Sequence, residues 1–208
     1  MHVRTPQAER RARSRSALLE SAARGLSRYG YGNLVLEDVA RDAGYTRGAL
    51  YHQFKDKEDL ALAVVKWVDE TWWSEVGGVV DRQPDAAAAL IALARGHAVF
   101  CRRDVARVIM ALRVEFSGQD HPVGREIARV SQTLIRRGAR LINAGRREGS
   151  IPAGPPARTT ALAYLGAVEG AVIALAGQEP HDELLAGRAA AGVLGVEMRP
   201  GRVELPPP

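Results

Sequence analysis

Between Thr46 and Lys57 the sequence TRGALYHQFKDK crowds Arg47, Tyr51, His52, Gln53 and Lys57, all hydrogen-bond donors, around Gly48 and Ala49, which carry almost no side chain. Arg47 is the residue able to grip a guanine with a two-pronged contact, while Gly48 and Ala49 permit close backbone approach and apolar contact with a thymine methyl. These are base-reading candidates. Tyr51, His52, Gln53 and Lys57 are donors that reach phosphates, and phosphate contacts fix register without reading sequence. Thr46 suits the start of a helix, where free backbone amides also favour an anion. Singly, Tyr51 and His52 could equally be surface residues covering a helix pair; their joint placement points to a duplex.

Such groups need a rigid mount, and the flanking periodicity supplies one. Leu18, Leu19, Ala22, Ala23, Leu26 and Tyr29 recur at steps of three and four, one apolar stripe of a helix over Gln7–Tyr29. Leu36, Val39, Ala40 and Ala43 mark a second, short helix stopped by Gly44, a residue that takes the left-handed conformation closing a helix. A third helix, Arg47–Phe54, turns Leu50 and Phe54 inward, and Asp56 caps a fourth from Lys57 to about Glu75. Two short helices meeting at a glycine turn form a helix-turn-helix, which presents its second helix to the major groove.

The first fifteen residues carry Arg4, Arg10, Arg11, Arg13 and Arg15 against Glu9. This is either a DNA-gripping arm built on Arg4, Arg10 and Arg11 or a solvated terminus. Net charge is +5 and the pI about 9.8, compatible with an acidic partner. Cys101 is the single cysteine, so neither an internal disulfide nor a multi-cysteine metal site is available. His2–Ser16 is polar, unlike a secretory leader, and the greasiest run, Thr159–Ala176, is rich in Ala and Gly and contains Glu169. The expectation is a soluble, cytoplasmic protein without cofactor, metal or membrane partner. Abundant Ala and few β-branched or aromatic residues predict an all-α fold.

The order VARDAGYTRGALYHQFKDKEDL, preceded by a helix ending in YGYGN, closely resembles the DNA-binding domain of TetR-type (TetR/AcrR) bacterial transcription regulators over about Arg13–Val65. That resemblance implies a homodimeric repressor whose two recognition helices contact successive major grooves of a palindromic operator, with a helical C-terminal domain binding a small inducer. By position it gives base reading to Arg47, Gly48 and Ala49, and the phosphate backbone to Thr46, Tyr51, His52, Gln53 and Lys57. Two residues depart from the pattern. Val35 stands where the family has Thr or Ser at the start of the second helix, and Tyr45 replaces a small aliphatic residue, either filling core or extending toward DNA.

The domains expected are an arm with helix-turn-helix over 1–56, a connecting helix over 57–76, an effector-binding and dimerisation domain over 77–198, and a flexible tail over 199–208. After Gly77 and Gly78, helices are expected at Asp85–Cys101, Asp104–Phe116, Pro122–Arg147, Ala157–Ala176 and Asp182–Val196. Ala163, Gly166, Ala167, Gly170 and Ala174 make a small-residue face suited to close helix contact, and with Leu185 and Val193 on the last helix they are dimer candidates; intrachain packing is the alternative. Trp67, Thr71, His97, Phe100, Cys101, Met110, Phe116, Tyr164 and Glu169 have the composition of an effector pocket, mostly apolar with a few polar groups. Ordinary cores share that composition. Glu169, a lone charge in its helix, should be paired or face a cavity. No nucleophile–base–acid set or phosphate-cradling glycine loop is present, which argues against an enzyme.

Overall fold

A computed structural model describes residues 6–175 and 177–198. Among these every regular element is helical: α1 (Pro6–Tyr29), α2 (Leu36–Asp42), α3 (Arg47–Tyr51), α4 (Lys57–Glu75), α5 (Ala86–Phe100), α6 (Val108–Glu115), α7 (Pro122–Glu148), α8 (Ala157–Ala174) and α9 (His181–Leu194). Short 3₁₀ turns at Gly77–Arg82 and Asp104–Arg107 lead into α5 and α6. The all-α class follows the composition. Arg4 of the basic arm, Ala176 and the tail Arg199–Pro208 lie outside the described residues. Within them, no helix is long and apolar enough to cross a membrane.

The described residues up to Glu70, together with Arg103–Arg129, form one compact unit. Leu18, Ala22, Ala23 and Leu26 of α1 are completely buried with Leu50, Leu60 and Val64, so the apolar stripe does fold inward. Tyr29, at the stripe's end, is 63% exposed. Ser21 Oγ, itself buried, donates to the Val39 carbonyl at 3.0 Å and ties α1 to α2. Arg28 and Asp104 form a 2.7 Å ion pair that anchors the 3₁₀ turn on α1 and holds the Asp104 carboxyl below the usual carboxylate range.

Thr71–Arg102 and the described residues from Val130 onward form the second unit. Residues 103–129 thus group with the N-terminal helices, and α4 and α7 each contribute to both units. Asp85 caps α5 by accepting from the Ala88 amide at 2.8 Å. One buried cluster of this unit is Ala94, Val168 and Ala190, where α5, α8 and α9 meet beside Tyr164. Tyr164 donates its hydroxyl to the Leu90 carbonyl at 2.7 Å, and burial pushes its phenol well up. Arg102 is bound by three acids: Asp182 through Nε and NH2 at 2.9 and 2.8 Å, Glu179 at 2.9 Å and Glu183 at 3.3 Å. Asp182 is buried, and its carboxyl is held low by that guanidinium.

Candidate nucleic-acid interface

The junction of α2 and α3 is built by local signals. The Tyr45 amide reaches back to the Ala40 carbonyl at 2.8 Å and the Gly44 amide to Arg41 at 3.0 Å, with Gly44 at φ 77°. This closes α2 in the way a glycine allows and a Cβ resists. Thr46 Oγ1 then accepts from the Ala49 amide at 3.2 Å and starts α3. Leu50 and Phe54 plug the core, which leaves Thr46, Arg47, Gly48, Tyr51 and His52 exposed on the other side. The helix ends at Tyr51 rather than Phe54, because the Gln53 and Phe54 amides converge on the Leu50 carbonyl at 2.9 Å and the last turn tightens. Val35 makes no side-chain cap for α2. Tyr45 is on the surface rather than in the core, 36% exposed.

Gly48 is not required by the fold, since a Cβ there would meet only Thr46 Oγ1, at an ordinary 3.8 Å. Its missing side chain leaves open surface beside Arg47. Arg47 lies with Nε 3.1 Å from Glu37 Oε1 of α2 and its guanidinium carbon 5.3 Å from the Tyr51 ring centre. Sequence reasoning passed over Glu37, whose only signal was an acid in the first turn of a helix, a common placement.

Gln53 and Lys57, both expected to hold phosphates, are tied to neighbouring elements. Gln53 Nε2 donates to Ser14 Oγ at 2.8 Å and, beside it, Arg15 lies 4.6 Å over the Phe54 ring, so the end of α3 is bound to α1. Lys57 donates to the Gly32 carbonyl at 2.8 Å and lies 4.9 Å over the Tyr31 ring. The same turn is held from α6, where the Glu115 carboxylate accepts the Tyr31 amide at 2.6 Å and the Gly32 amide at 2.8 Å. Tyr31 also packs edge-on to Phe116 and His121, which stack on each other at 4.4 Å. Arg10 and Arg11 are exposed on the first turns of α1.

The expected effector residues divide between the units. Trp67, Met110 and the buried Phe116 belong to the first; Thr71, His97, Phe100, Cys101, Tyr164 and Glu169 belong to the second. There the Trp72 indole donates to His97 Nδ1 at 3.0 Å, which leaves the ring proton on Nε2, 3.6 Å from Cys101 Sγ. A cleft of about 460 Å³ on the second unit, lined by Ile91, Arg95, Glu197 and Met198 among others, shares none of the expected residues. Among the described residues no group of three or more His, Cys, Asp or Glu could hold a metal ion.

On α8, Ala163, Gly166, Gly170 and Ala174 are exposed and Ala167 is half-buried. A Cβ on Gly166 or Gly170 would meet nothing within 4 Å. The flanking Leu162 and Ile173 are 48% and 65% exposed, so this apolar face is uncovered in the single chain, with Leu185 and Val193 of α9 half-buried.

Residues 18–64 match the family model described as "Bacterial regulatory proteins, tetR family". The HTH-type transcriptional repressor AcnR of Corynebacterium glutamicum is 38% identical over 53 residues, 26% of this chain. The aligned stretch spans only 28% of AcnR's own length. Across the fold, the chain is similar to SCO4454, a TetR-family transcriptional regulator from Streptomyces coelicolor, at 21% identity and TM-score 0.73 over 88% of this chain and 95% of that one. It is also similar to AibR, solved in complex with isovaleryl coenzyme A and operator DNA, at 17% identity and TM-score 0.69 over 88% of this chain and 100% of that one. Residues 18–64 thus carry the sequence pattern of the TetR family's helix-turn-helix, and the chain as a whole has the fold of these solved regulators.

Proposed function

We propose that the chain is a cytoplasmic transcription regulator that binds a palindromic double-stranded DNA operator as a homodimer, represses from it, and is released by a small-molecule effector. The observation that carries this reading is the exposed corner of Thr46, Arg47 and Gly48 on a helix braced from behind by α1 and α2. Arg47, Gly48 and Ala49 read bases. Thr46, Tyr51, His52, Gln53 and Lys57 hold phosphates, and Arg4, Arg10 and Arg11 extend the grip. The uncovered face of α8, with Leu185 and Val193 of α9, supports a dimer that sets the spacing of two reading heads.

The effector is an apolar or amphipathic molecule taken up among Thr71, His97, Phe100, Cys101, Tyr164 and Glu169, with Trp67, Met110 and Phe116 as the corresponding candidates of the first unit. AibR gives the precedent of one fold solved with both an acyl-coenzyme A and operator DNA. To release DNA, the molecule must prefer the DNA-incompetent state, since equal binding to both states shifts nothing. The test is selection from a random duplex library followed by titration of the enriched site against salt. Enrichment of a palindrome bound by a dimer, with affinity falling steeply with salt, is the expected result. Equal affinity for random duplex would end this reading. Ligands that quench the three tryptophans, Trp67, Trp72 and Trp73, should then weaken operator binding by roughly 5 to 150-fold; if none does, the regulator is constitutive.

A further inference from the structure

The second helix carries three acids, Glu37, Asp38 and Asp42, on the element that crosses the DNA backbone in a helix-turn-helix. Carboxylates there oppose phosphates. Asp38 and Asp42 are offset within their own helix by Arg41, at 2.6 and 4.0 Å. Glu37 differs, because its pair crosses to the reading helix and meets Arg47 at Nε, 3.1 Å away. Both side chains are open to water, at 66% for Arg47 and 47% for Glu37, and such pairs add little to stability. The contact therefore matters for where the guanidinium points.

A guanidinium has five donor hydrogens in a rigid fork. With the Glu37 carboxylate paired beside Nε, the terminal nitrogens NH1 and NH2 keep their hydrogens for an end-on, two-pronged contact with guanine O6 and N7. Tyr51, its ring 5.3 Å from the guanidinium carbon, supports the same group from α3. Without Glu37, Arg47 is a long cation free to settle on any phosphate, which strengthens binding to every sequence and reads none.

Resting on the DNA-binding reading above, we propose that Glu37 is a specificity-determining positioning residue: it holds Arg47 by Nε in the orientation that reads guanine, and its charge discourages Arg47 from settling on the phosphate backbone. The partner it selects is a duplex with guanine under Arg47.

The test uses the full chain and compares wild type, Glu37→Gln, Arg47→Lys and the double variant in selection from a random duplex library, with affinities for the enriched site and for a scrambled duplex. Glu37→Gln should lower the guanine preference at one position about tenfold, within the range one bidentate contact confers. It should also tighten scrambled-duplex binding, with a log–log salt slope steeper by about 1, as one added phosphate contact requires. Lysine lacks Nε and the fork, so in the Arg47→Lys background Glu37→Gln should change base preference no further. If Glu37→Gln raises affinity for enriched and scrambled duplex by the same factor, Glu37 is only a repulsive charge and the positioning role is wrong. If base preference changes equally in the lysine background, the effect does not pass through Arg47 and the inference also falls. Wild type that enriches nothing overturns the DNA-binding reading itself, a result distinct from both. Should Glu37→Gln unfold the domain, Glu37→Asp, one methylene too short to reach Nε, carries the same comparison.

Discussion

Glu115 and Tyr31, 84 residues apart, are joined by a 2.6 Å hydrogen bond from the Tyr31 amide to the Glu115 carboxylate, whose other oxygen accepts the Gly32 amide at 2.8 Å. The carboxylate thus serves two backbone donors in the turn that enters the helix-turn-helix. Gly30, at φ 75°, lets the chain pass close to it, since a Cβ there would come within 2.8 Å of Glu115 Oε2. Hydrogen bonds to a charged group contribute about 1.5–3 kcal/mol each. Glu115→Gln, which keeps one acceptor, should cost about 1–2 kcal/mol, and Glu115→Ala, which leaves both amides without it, about 2–4 kcal/mol. Urea denaturation checks this; an unchanged midpoint for Glu115→Ala would show that water replaces the carboxylate.

Lys57 and Arg47 should fail differently. Arg47→Ala should cost about 1–3 kcal/mol on the preferred operator and relax one base pair. Lys57→Ala should weaken all duplexes alike and flatten the salt slope by about 1. Because Lys57 also donates to the Gly32 carbonyl at 2.8 Å, its loss should add a small drop in stability that Arg47→Ala lacks. Equal losses on specific and scrambled duplex for both variants would show the roles are misassigned.

The parts of the site legible in the sequence are those set by neighbours along the chain. Gly44, the Thr46 cap and the inward Leu50 and Phe54 mark α2 and α3 within a few residues, because a cap or a period is a local signal. The Asp56 cap of α4 is equally local, with the Asp59 amide donating to it at 2.9 Å. What escaped was paired at long range. Glu115 closes a helix and Asp182 opens one, positions where a solvated charge is unremarkable; their partners, Tyr31 and Arg102, lie 84 and 80 residues away. For Lys57 and Gln53, which the sequence presents as phosphate-reaching donors, nothing nearby in the chain announces Gly32 or Ser14 as their acceptors. The α6 region failed more gently. Its apolar period continues through Asp104–Arg107, yet the chain takes the tighter 3₁₀ form there before α6 begins, a distinction that hydrophobic spacing alone does not draw.

Gly48 offers a test that separates folding from binding. Its backbone is helical and a Cβ has room, with 3.8 Å to Thr46 Oγ1, so Gly48→Ala should raise stability by about 0.5–1 kcal/mol through helix propensity. In the proposed DNA complex the added methyl would stand beside Arg47 and hinder close approach. Operator affinity should fall while the melting temperature rises. A variant more stable and equally tight would remove Gly48 from the interface.

Arg102 and Asp182 predict how the second unit responds to acid. The guanidinium holds the Asp182 carboxyl below its ordinary value, so the unfolded chain takes up this proton before the folded one does. The stabilisation is complete above the ordinary carboxylate range, near pH 4, and is lost as pH falls through the lowered folded value. Removing one partner of a buried pair strands the other and costs about 3–5 kcal/mol. Arg102→Met should therefore destabilise by about that much at neutral pH, where Asp182, 2% exposed, stays charged and loses its partner. Asp182→Asn should cost less, because Arg102 keeps Glu179 at 2.9 Å and Glu183 at 3.3 Å. In Asp182→Asn the part of the acid transition that belongs to Asp182 should vanish, and in Arg102→Met it should reverse, because burial then raises the stranded carboxyl and its protonation relieves the cost. Thermal unfolding followed from pH 7 to pH 3 is the measurement: wild type and Asp182→Asn should converge in stability as pH falls. Curves that stay parallel over that range would show that the pair carries no proton-linked stability.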